Sequence, residues 1–278
     1  MNTPDQLSAA SDSNTPEPRE REWGTKLFLG FLFVVASFYA IILIYHSANP
    51  PETVSNEGVL EQCRQICLKY GLISTGNVRK DAEAYLQFAQ TTRLTSALSD
   101  ILADTTAPAA SQKHSLLEKT APDFSLPDDA KLTQTLSELG HNRPVVVVFY
   151  LGYGCSHCVA QLLALDKDLH YFRELDADIV AISSDPSEHT AARFVEYGRF
   201  GFPVLSDADQ NVAAAWGVFK PATDDQDEVM DHGTFVIDRN GKVVWAFQGK
   251  EPFLDNRTLL HVIAKSQGLL PDTMASNN

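Results

Sequence analysis

Hydrophobic positions change their spacing several times along the chain, and each change marks an element. Residues 27–45, LFLGFLFVVASFYAIILIY, run for 19 positions without a charged residue. At 1.5 Å per residue a helix of that length spans about 28 Å, close to the hydrocarbon thickness of a bilayer. After Pro50-Pro51-Glu52 the spacing becomes that of a helix with one apolar stripe. Val59, Leu60, Cys63, Ile66, Cys67 and Tyr70 lie on that stripe, and Gly71 stands where a C-terminal cap belongs. Residues 80–103 repeat the character with Tyr85, Leu86, Phe88, Ala89, Leu98, Ile101 and Leu102. A small helical segment is therefore predicted over 46–104, followed at 105–115 by a stretch rich in Ala, Pro, Ser and Thr that reads as a linker.

From residue 116 the period alternates between strand and helix. Val145 to Tyr150 is a β-branched run bounded by Pro144 and Gly152, the pattern of a strand buried on both faces. The stripe Leu162, Leu165, Leu169 and Phe172 predicts a helix after it, and Ile179-Val180-Ala181-Ile182 a second buried strand. Asp185-Pro186-Ser187-Glu188 then offers an N-cap, a proline for the first helical position and an acid three residues after the cap, with Gly198 closing that helix. Two further strands, 234–238 and 243–247, flank Asn240-Gly241, the favoured pair of a tight hairpin turn, and a last helix covers 254–265. Strands and helices in this order, β-α-β-α-(β)-β-β-α, call for an α/β fold, a sheet with helices on both faces.

Charge changes the picture in two ways. Asp and Glu number 36 against 22 Lys and Arg, a net −14, which repels polyanions and argues against nucleic-acid binding. Arg19, Arg21 and Lys26 precede the apolar run, whereas Arg64 alone follows within about 20 residues, so the positive-inside rule puts the N-terminus in the cytoplasm. His46-Ser47-Ala48-Asn49-Pro50 makes a poor cleavage site, so the run reads as an uncleaved anchor rather than a signal peptide. The expected organisation is a disordered cytoplasmic tail (1–26), a single transmembrane helix (27–45), the helical segment (46–104), the linker (105–115), an α/β domain outside the cytoplasm (116–270) and a short tail (271–278).

Four cysteines fall in two close pairs, and one pair sits where chemistry is expected. Cys155-Ser156-His157-Cys158 lies between the strand ending near Tyr150 and the helix after it. A thiol at a helix N-terminus faces unpaired N–H groups and the positive end of the helix dipole, which stabilise thiolate. Two intervening residues place the second sulfur within one turn, so a disulfide can close. Cys155 is expected to attack and Cys158 to resolve, while His157 adds partial positive charge and makes the pair more oxidising. A zinc knuckle would need a second CxxC or His pair at ligand spacing, which residues 116–278 lack, and a haem-attachment site would need His where Val159 stands.

These residues resemble a known family. Residues 116–266 are similar to the thioredoxin fold in its alkyl hydroperoxide reductase/thiol-specific antioxidant form (AhpC/TSA, peroxiredoxin-like). The likeness is carried by Ala121-Pro122-Asp123-Phe124-Ser125-Leu126, the strand into Cys155, Phe202-Pro203-Val204-Leu205-Ser206-Asp207, Trp216-Gly217-Val218 and GTFVIDRNGKVVW at 233–245. The resemblance implies a thioredoxin-like mixed sheet flanked by helices, and a thiol oxidoreductase with an antioxidant role. It puts Cys158 at the peroxidatic position, with Leu151 in place of the active-site proline, Cys155 in place of the threonine and His232 in place of the arginine, so the usual machinery for polarising a peroxide is absent. The CxxC itself looks more like that of thiol-disulfide oxidoreductases, and its His resembles the CPHC site of periplasmic disulfide oxidases, with Ser156 for the proline. His232 also occupies the place of the cis-proline that faces a thioredoxin CxxC.

Asp231-His232 further resembles the histidine segment of Sco-type copper chaperones, which implies a soft Cu(I) site from Cys155, Cys158 and His232, although that family spaces its cysteines CxxxC. Three readings thus stand: disulfide exchange through Cys155 and Cys158, peroxide reduction through Cys158, and copper binding. Protein thiols or disulfides, or a peroxide, are the expected substrates, and no cofactor is expected. Cys63 and Cys67 read either as core residues or as a second dithiol. They cannot readily bridge each other, because Cβ atoms at i,i+4 on a helix lie about 5–6 Å apart while a disulfide needs about 3.8 Å.

Overall fold

The computed structural model describes residues 19–48, 65, 66, 68, 69, 71, 74–89, 94–223 and 228–270, and the chain divides into two compact units, 1–55 and 56–278. The first unit contains helix α1, Arg19–Ala48, which covers the predicted apolar run. Its described side chains are those of residues 26–41, and Leu27, Phe31, Phe33, Val34, Phe38 and Ile41 among them are exposed. Among the described residues no helix is long and apolar enough to cross a membrane. The run itself continues to residue 45, beyond those side chains.

In the second unit, residues 65, 66, 68 and 69 are helical and Gly71 adopts the left-handed conformation (φ 65°) expected of the cap; Cys63 and Cys67 lie outside the described residues. Helix α2, Val78–Phe88, begins at Asn77, whose side chain accepts from the Lys80 N–H. It buries Asp81, Ala82, Tyr85 and Leu86, one face at helical spacing, and packs on the helix that follows the CxxC strand. Phe88, placed on the apolar stripe from sequence, is exposed instead; it is the last residue of the helix and lies at the edge of the buried face. A short helix α3, Leu98–Ala103, follows.

The α/β part has the predicted mixed α/β layout. A small hairpin of β1, Ser125–Pro127, and β2, Thr133–Thr135, leads into helix α4, Leu136–Leu139. Strand β3, Val145–Phe149, is buried at every residue, so both of its faces are covered. It is followed by helix α5, Ser156–Lys167, and helix α6, Leu169–Glu174, a break at Asp168 dividing the single predicted stripe into two helices. Next come β4, Asp178–Ser183, helix α7, Ser187–Tyr197, β5, Val204–Ser206, and helix α8, Asn211–Ala215. A two-strand ribbon of β6, Phe219–Lys220, and β7, Val229–Met230, leads to β8, His232–Ile237, β9, Val243–Gly249, and helix α9, Asn256–Ser266.

The five-stranded sheet has the order β5-β4-β3-β8-β9. Strands β3, β4 and β5 are parallel, and β8 runs antiparallel to β3, pairing Phe149 with Gly233. That pairing sets the end of β3 beside the start of β8. Phe149, Trp216 and Phe235 fill the adjoining core, with ring centroids 5.0–6.0 Å apart.

Two local expectations change. The β8–β9 turn is longer than a two-residue one: of Asn240 and Gly241 only Gly241 is left-handed (φ 77°), and the Asp238 carboxylate accepts from the Asn240 and Lys242 N–H groups. A type I′ turn needs both central residues at positive φ, and here the side chain of Asp238 organises the turn instead. The 105–115 stretch lies along the edge of β9. Gln112 N–H donates to Ala246 O, and the Ala246 and Gln248 N–H groups donate to Ser111 Oγ and Gln112 Oε1. A free strand edge leaves backbone groups without partners, and this segment supplies them.

Candidate functional site

The loop between β3 and α5 is shaped by its glycines and by Asp185. The Tyr150 N–H still donates to Ile182 O, so the sheet persists one residue past β3. At Gly152 the backbone turns to φ 118°, and a Cβ there would meet the Asp185 carboxylate oxygens at 2.9–3.0 Å. The Tyr153 N–H donates to Asp185 Oδ2 at 2.6 Å, and the Cys155 N–H donates to Gly152 O. Asp185 was expected to cap the helix after β4. That helix begins at Ser187 with Pro186 in the cap position and no side-chain cap bond, because the carboxylate is committed to the CxxC loop. Burial raises its pKa, opposed by the Tyr153 N–H bond.

Cys155 is the N-cap of α5, its sulfur accepting from the Cys158 N–H at 3.4 Å, and the two cysteines form a disulfide. The pair thus sits at a helix start, where the dipole favours thiolate. Cys155 is nevertheless 2% exposed and Cys158 fully buried, so neither sulfur is open to solvent in this state. Tyr85 of α2 lies next to the motif, its ring centroid 5.8 Å from that of His157, and is itself 2% exposed. Helix α2 therefore helps to cover the disulfide.

His157 is fully buried, its ring nitrogens 3.3 and 3.4 Å from Cys155 Sγ. Burial lowers its pKa to about 4, with the charge of Glu251 acting weakly the other way. The positive charge expected of His157 is accordingly absent at neutral pH beside the disulfide: the imidazole is neutral and acts as a hydrogen-bonding neighbour. His232, the first residue of β8, brings Nε2 to 3.1 Å from Cys158 Sγ. It too is fully buried, its pKa lowered to about 3 by burial first and by His157 second, and the two rings are 5.3 Å apart. The β3–β8 register produces this meeting of residues 74 positions apart.

The structure therefore brings together all four predicted groups of the α/β part. Cys155, His157, Cys158 and His232 offer donor atoms within 4.8 Å of one another, and all four are buried. Asp185 and Tyr85 complete the surroundings and were missed as site residues. Gly152-Tyr153-Gly154 signals an unusual loop, but nothing in the local sequence names the carboxylate that holds it. The possible second dithiol, Cys63 and Cys67, lies outside the described residues.

The family model described as AhpC/TSA family matches residues 117–246. A Mycobacterium tuberculosis protein with a provisional peroxiredoxin name is 38% identical over 128 residues, covering 45% of this chain and 80% of that protein. Alkyl hydroperoxide reductase E of the same organism is 33% identical over 135 residues, covering 48% of this chain and 84% of its own. A crystal structure of peroxidoxin BcpB, also from Mycobacterium tuberculosis, aligns with 57% of this chain and 100% of that one at 30% identity and a TM-score of 0.49.

Proposed function

Because the chain belongs to the AhpC/TSA family of peroxiredoxin-like thiol oxidoreductases, we propose that it works by cycling Cys155 and Cys158 between dithiol and disulfide. The observation that carries this reading is the disulfide itself, closed at the first turn of α5 with Cys155 as its N-cap. In the reducing direction the Cys155 thiolate attacks one sulfur of a substrate disulfide, and that S–S bond breaks to release a thiolate. Cys158 then attacks Cys155 Sγ, the mixed disulfide breaks, the second substrate thiolate leaves, and the Cys155–Cys158 bond re-forms. The oxidising direction is the reverse. The helix N-terminus stabilises the Cys155 thiolate, and the neutral His157 adds an N–H donor at 3.3–3.4 Å.

A peroxidase reading is favoured by one contact, His232 Nε2 at 3.1 Å from Cys158 Sγ, where the family resemblance places an arginine. There the Cys158 thiolate attacks the terminal peroxide oxygen, the O–O bond breaks and the alcohol or water leaves. The resulting sulfenic acid is closed by Cys155 to the same disulfide with loss of water.

We further propose that α1 anchors the protein in a membrane with its N-terminus cytoplasmic and the redox domain outside. The charge-free run at 27–45 and the excess of cations before it support this. The net charge beyond the anchor, −12, favours a domain standing off an anionic bilayer.

The purified full chain, assayed for reduction or oxidation of a test-protein disulfide and for hydroperoxide consumption, separates the readings. Loss of disulfide exchange in Cys155→Ser is expected. Unchanged exchange there refutes the first mechanism, and peroxide consumption retained in Cys155→Ser but lost in Cys158→Ser selects the second. Protease accessibility of terminal tags in intact cells tests the orientation.

A further inference from the structure

Cys155, His157, Cys158 and His232 make a donor set that neither disulfide exchange nor peroxide reduction requires in full. We propose that the reduced form binds one Zn²⁺ in a buried site of two thiolates and two imidazoles, and that closing the disulfide destroys this site. The geometry is close to what the ion needs. With Zn–S near 2.3 Å and Zn–N near 2.0–2.1 Å, a tetrahedral site sets its ligand atoms about 3.3–3.8 Å apart. His232 Nε2 stands 3.1 Å from Cys158 Sγ and His157 Nε2 stands 3.3 Å from Cys155 Sγ. All donors lie within 4.8 Å of one another. The two sulfurs are the pair held too close, because they are bonded to each other. Reduction removes that constraint.

Charge selects the ion. Two thiolates and two neutral imidazoles around Zn²⁺ sum to zero, whereas the same donors around Cu⁺ leave a net negative charge. The four side chains are between 98% and 100% buried, and an uncompensated charge there would be costly. Mixed sulfur and nitrogen donors in a tetrahedral set suit zinc as well. The ligands come from two elements, three from the start of α5 and one from the start of β8, so a search for a second motif along the sequence does not find them.

The chemistry balances without a hidden reactant. A dithiol reductant delivers two electrons and two protons to the Cys155–Cys158 bond, giving two thiols, and leaves as its own disulfide. Zn²⁺ then binds both sulfurs and two protons pass to water. A sulfur that ligates zinc cannot simultaneously be in the disulfide, so metal and disulfide exclude each other.

The test uses the full chain in detergent carrying Cys63→Ser and Cys67→Ser, which removes the other two thiols. Competition with a chromophoric chelator should give one Zn²⁺ per reduced chain and none per oxidised chain. Co²⁺ in place of Zn²⁺ should show intense visible bands of a tetrahedral ion and thiolate-to-metal charge transfer. His157→Ala and His232→Ala should each weaken Zn²⁺ binding at least about tenfold, since even loss of an outer partner of a ligand costs that much. Folding of the variants is checked by circular dichroism, and if either is unfolded the cobalt spectrum of the parent decides. The proposal is overturned if the reduced, folded parent takes up no zinc, if the oxidised chain binds equally, if the cobalt spectrum is octahedral, or if folded His157→Ala and His232→Ala both bind as tightly as the parent. Thiol-disulfide exchange in metal-free buffer is read on the same samples, so failure of the zinc site and failure of the redox reading are separable.

Discussion

Acid should destabilise the oxidised protein through His157 and His232, and the size of the effect follows from their burial. In the folded chain their pKa values are lowered from 6.5 to about 4 and about 3, chiefly because burial penalises the imidazolium. In the unfolded chain both return to the ordinary value. Between the two pKa values the unfolded state binds more protons than the folded one, so stability rises with pH there and falls as pH drops from about 7 toward 4. At pH 5 the unfolded state gains about 2 kcal/mol per histidine, and about 4 kcal/mol for the two together. Burial raises the carboxyl pKa of Asp178, Asp185 and Asp207, which acts in the opposite direction. The wild-type slope alone is therefore not diagnostic.

The difference between wild type and a non-titrating variant is. His157→Gln removes one depressed imidazole and leaves the carboxylates in place. Its overall stability will be offset at pH 7, but between pH 7 and pH 5 the gap to wild type should shift by about 2 kcal/mol in the variant's favour. Denaturant unfolding of the oxidised full chain in detergent, followed by tryptophan fluorescence, to which the buried Trp216 and Trp245 contribute, measures this. If wild type and His157→Gln lose stability in parallel over that range, the burial argument is wrong, and with it the claim that His157 is neutral beside the disulfide.

Three further outcomes are expected. Tyr85→Ala should cost about 3–5 kcal/mol as a buried large-to-small change, and should also raise the rate at which dithiothreitol reduces Cys155–Cys158; an unchanged reduction rate would show that α2 does not control access. Gly152→Ala should lower both the melting temperature and the exchange rate, because φ 118° is strained for alanine and its Cβ meets Asp185; Gly241→Ala, which has open space around it, should cost only its strain of about 1–3 kcal/mol and leave exchange intact. Gly233→Ala, whose Cβ would lie 2.6 Å from Val218 Cγ1 and 2.9 Å from Phe235 Cε2, should destabilise by about 1–3 kcal/mol in thermal unfolding, and a neutral result would mean that this part of the sheet yields easily.

The amino-acid sequence by itself determined the elements whose signals are local. The run Val145–Phe149, the stripe through Leu162 and Leu165, the stop at Gly198 and the CxxC at the start of a helix could all be read from spacing and side-chain type, because each depends on neighbours within a few residues. Family membership was legible for the same reason, since its motifs are contiguous strings. Only the tertiary structure decided what those residues face. Asp185 has a capping sequence around it but turns to the Tyr153 N–H, a partner 32 residues away, and the 105–115 stretch has a linker's composition but covers the edge of β9. His157 reads as a cation from its type and becomes neutral when water is excluded from it. Family resemblance set His232 opposite the CxxC, but it is the antiparallel register of β3 and β8 that delivers its Nε2 to Cys158. Burial and long-range pairing are properties of the packed chain, and a pKa, a cover over a disulfide and a set of four converging donors exist only once that packing is made.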